Sequence, residues 1–297
     1  MLKALSALDR PVTGDFVAID QDGLIRKIHP RFNLMTRSDE FSQSLTESLV
    51  ANTDYIFVVM SLNQDFNVRK LRLFLIAAGS SGAETILILT KADLNSREVN
   101  EDYFEEARRI TDAPIYMTSM DHPETLDPVL DLMKGGRTGA LLGASGVGKS
   151  TLINCILGKD HLKTSGIRSH DDQGRHTTTH REIIVIEGIG CLIDTPGMRR
   201  IKLQDEGSAV EDLFQDLLAI MASCRYPSCS HTTESGCAVR EALNDGTITE
   251  SDLTDYHSML KEARYFEAKA RTRERTVRKR EKSKKKPRQK NWSSDAD

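Results

Sequence analysis

Hydrophobic positions change their spacing several times along the chain. Between residues 12 and 37 they alternate with polar ones, at Val12, Phe16, Val17, Ile19, Ile25, Ile28 and Leu34. Gly14 followed by Asp15, and Asp22 followed by Gly23, are turn pairs. This spacing predicts two or three short strands, too few to close a sheet of their own. Residues 38–48 are polar and serine-rich and predict a linker. The pattern then turns into apolar runs separated by helical stretches. Residues 55–60, 85–89, 114–117 and 138–142 have the length and composition of buried strands. Between them, Leu71, Phe74, Leu75 and Ala78 recur at helical spacing, 97–110 is charged and helix-compatible, and 124–134 suits a helix. A glycine-rich loop follows residue 142, and a helix is predicted from Lys149 to Leu157. Residues 181–187 and 189–193 flank Gly188 and predict a hairpin. Strands alternating with helices imply an α/β fold with a mostly parallel sheet covered on both faces. From residue 208 the pattern is helical and cysteine-bearing, past 261 it is basic and helix-forming, and after Pro287 its composition is that of a disordered segment.

Composition narrows the class. The chain has 297 residues, 38% of them hydrophobic, enough for a core. No run approaches the roughly 20 apolar residues of a membrane span. The first ten residues hold no apolar stretch before a small-residue cleavage site, so no secretory signal is expected. Five cysteines, an odd number in a long chain, argue against a disulfide scaffold and for a reducing, cytoplasmic compartment. The net charge of −3 hides an asymmetry: residues 261–290 carry fifteen Lys/Arg against four Glu, while 1–260 carry 26 basic and 38 acidic side chains. The acidic body and polycationic C-terminal segment point to a polyanionic partner for the latter.

Gly143, Ala144, Ser145, Gly146, Val147, Gly148, Lys149 and Ser150 match the phosphate-loop pattern completely, between a predicted strand and a predicted helix. Glycines let the backbone curl around phosphate oxygens, and its N–H groups with the helix N-terminus supply positive potential. Lys149 is expected to reach the β- and γ-phosphates and Ser150 to ligate Mg²⁺, with Thr151 beside them. Asp194-Thr195-Pro196-Gly197 ends a predicted strand about 45 residues later. There Asp194 suits the Mg²⁺ water shell and Gly197 the γ-phosphate. Between the two lies Gly174-Arg175-His176-Thr177-Thr178-Thr179. One of its threonines, with Thr178 the central choice, is expected to complete the Mg²⁺ shell.

Thr90-Lys91-Ala92-Asp93 ends another strand and resembles the guanine-reading N-K-x-D motif, with Thr in place of Asn. A carboxylate at Asp93 can accept from both guanine donors, which adenine does not offer. Thr118-Ser119-Met120, at another strand end, resembles the backbone loop that meets guanine O6, with Ser119 at its centre. The base-reading segments precede the phosphate loop, so the order is that of a circularly permuted GTPase binding GTP and GDP. An ATPase or small-molecule kinase using the same loop is the competing reading, and Thr90, Lys91 and Asp93 argue against it. Met198 follows Gly197 and cannot orient a water, so weak intrinsic hydrolysis is expected, with His176 the nearest catalytic candidate beside Lys149.

Cys224, Cys229, His231 and Cys237 lie within fourteen residues. Three thiols and an imidazole at this spacing suit one closed, structural zinc. Cys155 and Cys191 are expected to be small buried apolar residues.

Taken with Gly14, Asp15, His29, Pro30, Arg31, Leu34 and Arg37, these motifs resemble the ribosome small subunit-dependent GTPase A family over about residues 11–270. The resemblance implies a partial oligonucleotide-binding-fold-like β segment at 1–37, a circularly permuted P-loop GTPase domain at 45–205, a small helical zinc-binding domain at 206–265 and a basic tail at 266–297. It further implies a monomeric GTPase that binds the small ribosomal subunit and its 16S-type rRNA late in maturation, hydrolyses GTP when stimulated, and leaves. A nucleotide-gated RNA-binding placeholder with incidental hydrolysis is the alternative.

Overall fold

A computed structural model of the chain describes residues 10–38, 46–158, 181–195 and 207–284. Its centre is a six-stranded sheet. The strands are β5 (Tyr55–Ser61), β6 (Glu84–Thr90), β7 (Ile115–Met117), β8 (Arg137–Leu142), β9 (Glu182–Ile186) and β10 (Gly190–Asp194), in the order β7-β6-β5-β8-β10-β9. All pairs are parallel except β9–β10, the hairpin expected around Gly188.

Parallel strands covered on both faces should be apolar throughout, and every residue of β5 is buried. Alternate side chains go to opposite sides. Ile56, Val58 and Met60 of β5 with Leu87 and Leu89 of β6 enter one core, with Leu71, Phe74, Leu75 and Ala78 of α1 (Val68–Gly79) and Ala107 of α2 (Arg97–Arg108). Tyr55, Phe57 and Val59 with Ile86 and Ile88 enter the other, with Val129 and Met133 of α3 (Asp127–Met133) and Leu152 and Ile153 of α4 (Lys149–Leu157). Each such buried side chain contributes about 1.5–3 kcal/mol relative to exposure. Asn67 starts α1, its side chain accepting from Lys70 N at 2.9 Å.

The N-terminal region forms two antiparallel hairpins, β1 (Val17–Ile19) with β2 (Ile25–Ile28), and β3 (Leu34–Ser38) with β4 (Thr46–Ala51). Strand β4 corrects the sequence reading, which placed 46–48 in a linker. Its Leu49 and Val50, with Met35 of β3, fill the α1 side of the core, and that long-range burial makes a strand of a serine-rich segment. The hairpins are joined by a Thr13–Val50 bridge. Gly14 sits there at φ +94°, where a Cβ would lie 2.0 Å from the Ala51 carbonyl oxygen.

The C-terminal part is helical: α5 (Gly207–Leu213), α6 (Gln215–Ala222), α7 (Ala238–Asn244) and the 35-residue α8 (Glu250–Lys284). Val210, Phe214, Val239, Tyr256, Met259 and Ala263 form its own core, which Ile76 of α1 completes. Arg72 of α1 is buried at the same junction. It pairs with Asp252 and, at 2.6 Å, with Asp255 of α8, and its guanidinium lies 5.0 Å from the centre of the Phe214 ring. Among the described residues no helix is long and apolar enough to cross a membrane. Cys155 and Cys191 are half-buried, not buried as expected; Cys155 packs against the margin of the α3–α4 core.

Candidate nucleotide site and metal centre

The sheet order changes direction between β5 and β8. From β5 the chain runs outward through β6 to β7, then crosses to the other side at β8. Ligands of open α/β sheets bind at such a switch point, beyond the carboxyl ends of the strands. The described sequence motifs converge there.

The loop after β8 needs its glycines. A Cβ on Gly143 would lie 2.5 Å from the Val59 carbonyl oxygen, and Gly148, which starts α4, has φ +101°. Lys149 is buried, and its ammonium donates to the carbonyls of Gly143 and Ala144, both at 2.9 Å. Burial pulls its pKa down to about 8, and the Asp194 carboxylate opposes this. Asp194, at the end of β10, is itself 2% exposed, and its Oδ1 has no hydrogen-bond partner among the described residues. Burial raises the Asp194 carboxyl, Lys149 lowers it, and Glu182, its cross-strand neighbour on β9, raises it. A buried carboxylate oxygen without a partner is costly alone. A hard cation would satisfy it, so the donor set fits Mg²⁺ beside Ser150.

The base-side segments meet the loop directly. Thr90 is buried at the end of β6, and its hydroxyl donates to the Val147 carbonyl at 2.5 Å. Lys91, at φ +63°, donates from Nζ to the Gly146 carbonyl at 2.8 Å. Asp93 follows in a short 3₁₀ turn (Ala92–Leu94), and its Oδ1 accepts from Met120 N at 3.2 Å. Thr118 N bonds the Leu89 carbonyl, which brings 118–120 alongside β6. Ser119 N is held by the Thr125 hydroxyl at 3.1 Å. An open cleft lies between these segments and α4, lined by Lys91, Ser119, Gly148 and Thr151. His176, Thr178 and Gly197 lie outside the described residues.

Sequence reasoning missed the supports of this cleft. Asn100 of α2 is buried and donates to the Ala92 carbonyl at 2.8 Å, and Asn95 bridges the Leu62 carbonyl and Asn100 Oδ1. The one available signal was an asparagine on the inward face of an otherwise charged helix.

At the far end of the C-terminal part, the ligand atoms of Cys224, Cys229, His231 and Cys237 all lie within 4.8 Å of one another. Cys224 Sγ and Cys237 Sγ are 4.0 Å apart, and each is 3.6 Å from His231 Nδ1. A tetrahedron with Zn–S near 2.3 Å and Zn–N near 2.0 Å has edges of about 3.8 and 3.6 Å. The group therefore fits a tetrahedral ion of zinc's size. Burial raises the Cys224 thiol, but backbone N–H groups of Val239 and Ala238 at the start of α7 bring it below its ordinary value.

Comparison with known proteins agrees with this arrangement. The chain is 39% identical over 272 residues to "Small ribosomal subunit biogenesis GTPase RsgA 2" of Listeria monocytogenes serotype 4b (strain F2365), covering 89% of this chain and 76% of that protein. It is 38% identical over 266 residues to the RsgA of Streptomyces avermitilis, covering 88% and 72%. Among solved structures it resembles YjeQ from Thermotoga maritima, with a TM-score of 0.58, 26% identity, and 85% and 84% of the two chains covered. It also resembles YloQ, described as a circularly permuted GTPase, with a TM-score of 0.56, 26% identity and coverage of 86% and 81%. The family model for RsgA GTPase matches residues 28–204, from the last residue of β2 to beyond the Asp194 strand end. With base-side segments ahead of the phosphate loop on one sheet edge, and relatives aligned over most of their length, the chain belongs to the RsgA GTPase family of circularly permuted GTPases.

Proposed function

We propose that this protein hydrolyses GTP to GDP and phosphate on the small ribosomal subunit, through contacts with its 16S-type rRNA, during late maturation in the cytoplasm, and that it acts as a monomer. The observation that carries the reading is the direct linkage of Thr90 and Lys91 to the loop carbonyls of Val147 and Gly146. It makes base-side and phosphate-side segments one unit, which is what a guanine nucleotide spanning both requires.

In this reading Asp93 pairs with the guanine donors, Lys91 lines the base and Ser119 meets its oxygen. N–H groups of 143–151 hold the phosphates. Lys149 exchanges its two carbonyl partners for phosphate oxygens, a trade that restores its full charge. Mg²⁺ held by Ser150 and Asp194, with Thr178 and Gly197 closing over the γ-phosphate, would screen the charge that grows on the phosphates. His176 is the assigned water-positioning residue. The Cys224, Cys229, His231 and Cys237 group holds one structural zinc, which ties α6 to α7 where apolar burial is small.

The partner follows from charge. The body to residue 260 is acidic, so attraction to RNA must come from elsewhere, and α8 carries most of the basic segment. Phosphate neutralisation with counterion release gives affinity without base reading. Competition of GDP, GTP and ATP for the protein, followed by co-sedimentation with small subunits in each nucleotide state, tests the reading. Guanine-selective binding with GTP-favoured association supports it, and equal ATP binding with no association contradicts it.

A further inference from the structure

The loop between Cys229 and Cys237 holds its histidine in a conformation that the ligand set alone does not explain. His231 has φ +61°, the left-handed region that a non-glycine residue occupies when its surroundings hold it there. That turn is what aims Nδ1 at the thiols, 3.6 Å from both Cys224 Sγ and Cys237 Sγ. Around it, donors converge on one carboxylate. Glu234 Oε1 accepts from Ser230 N at 2.8 Å and from the Ser230 hydroxyl at 2.6 Å. Its Oε2 accepts from Thr232 N at 3.1 Å and Thr233 N at 3.2 Å. The Ser230 and Thr232 hydroxyls lie 2.7 Å apart, closing the same turn across the histidine. One side chain thus grips the backbone on both sides of His231.

We infer that Glu234 is a positioning residue for the metal centre, locking the left-handed turn at His231 so that the imidazole is presented to zinc before the ion arrives. The inference rests on the reading of the Cys₃His group as a zinc site. Glu234 bonds none of the four ligand atoms and acts through the backbone of 230–233. Charge-assisted hydrogen bonds from backbone N–H groups are among the stronger kind, and the Ser230 hydroxyl heads the causes that hold the Glu234 carboxyl down at about 2. The carboxylate is therefore ionised, and gripping, throughout the neutral range. A ligand already in place loses less freedom when the metal binds, so preorganisation appears as metal affinity and slow release. Glutamine keeps the size but loses the charge and turns an amide toward N–H donors.

The test uses the full chain as wild type, Glu234→Ala and Glu234→Gln, each also in a His231→Ala background. Zinc affinity and release are followed by competition with a chromogenic chelator, and Co²⁺ absorption reports ligand geometry. Wild type should hold one zinc. Both Glu234 variants should bind zinc about 10–100-fold more weakly and release it faster, while saturating Co²⁺ still gives the tetrahedral thiolate–imidazole spectrum. In the His231→Ala background the Glu234 change should add nothing further. Wild-type affinity in the Glu234 variants overturns the inference, and so does an equal loss in the His231→Ala background. If the alanine variant does not fold, the isosteric glutamine variant carries the comparison. A wild-type chain that binds no zinc removes the metal reading itself, which the unsubstituted control distinguishes from failure of the Glu234 role.

Discussion

The Thr90 hydroxyl and the Val147 carbonyl, 57 residues apart in sequence, are joined by a 2.5 Å hydrogen bond in the floor of the nucleotide cleft. The sequence predicts Thr90 as the first residue of a base-reading motif. The structure turns its side chain to the phosphate loop, so it acts as a strut between two strand ends. Thr90→Val keeps the volume and strands a buried carbonyl, which costs about 1–3 kcal/mol. Thermal unfolding and GDP titration should both register the loss in Thr90→Val and recover in Thr90→Ser. A valine variant with wild-type behaviour in both assays would remove the strut.

In the proposed reading Asp93 carries the base choice. Asp93→Asn should weaken GTP binding by about 1.5–3 kcal/mol, the range for a hydrogen bond to a charged group. The amide cannot accept from both guanine donors, so discrimination against ATP should narrow as well. Calorimetric titration with both nucleotides checks this, and unchanged discrimination sinks the assignment.

Lys149 gives a pH signature. Its pKa is held at about 8 in the folded chain, against 10.5 ordinarily. The folded value is the lower one, so burying the charged form costs stability below about pH 8. That cost disappears as pH rises from 8 toward 10.5, and this group's contribution to the nucleotide-free chain becomes less unfavourable over that window. A bound triphosphate favours the charged form. Binding near pH 8.5 should therefore take up a proton, and affinity should fall as pH rises. Titrations in two buffers of different ionisation enthalpy measure the uptake, and a buffer-independent enthalpy contradicts it.

Arg72 fastens α1 to α8. Its side chain is 6% exposed, and those of Asp252 and Asp255 are 27% and 10% exposed. Arg72→Met removes both ion pairs, leaving Asp255 with Arg69 at 3.3 Å and Asp252 with the Thr249 backbone and hydroxyl, and should destabilise the chain by about 1–3 kcal/mol in denaturant unfolding. Burial raises the Asp252 carboxyl, but hydrogen bonds from the Thr249 backbone and hydroxyl and from Arg72 outweigh it and hold the group below 3.8. That stabilisation is complete above the ordinary carboxylate range and is lost as pH falls through it. Acid sensitivity should accordingly be shallower in Arg72→Met, and a variant as stable as wild type refutes the fastening.

In the proposed reading the basic helix supplies the attraction to RNA. Deleting residues 270–297 removes twelve Lys/Arg and should weaken small-subunit binding and flatten its dependence on salt. GTP hydrolysis at saturating subunit should change little. Filter binding across a salt series decides it, since equal slopes for both chains leave the helix with no electrostatic role.

What the sequence made legible was what is local. The inner parallel strands of the central sheet, β5 above all, announce themselves as apolar runs because both faces are covered. The three cysteines and the histidine of the cluster lie within fourteen residues, so it is visible in the sequence. The relationships that remained hidden are long-range. Strand β4 exists because Leu49 and Val50 find the core beside α1, which its serine-rich surroundings do not signal. Arg72 reads as one more charged position on an amphipathic helix, and its partner Asp255 is 183 residues away. The strut at Thr90 likewise depends on how β6 and β8 flank β5, which no local pattern encodes.

The central claim is that the small subunit turns on GTP hydrolysis at this cleft. Phosphate release under multiple turnover, with GTP or ATP and with or without purified small subunits, tests it most directly. The account predicts slow release from GTP alone, a large increase when subunits are added, and no such increase with ATP or in Asp93→Asn at the same nucleotide concentration. Hydrolysis indifferent to the subunit, or equally stimulated with ATP, would contradict it.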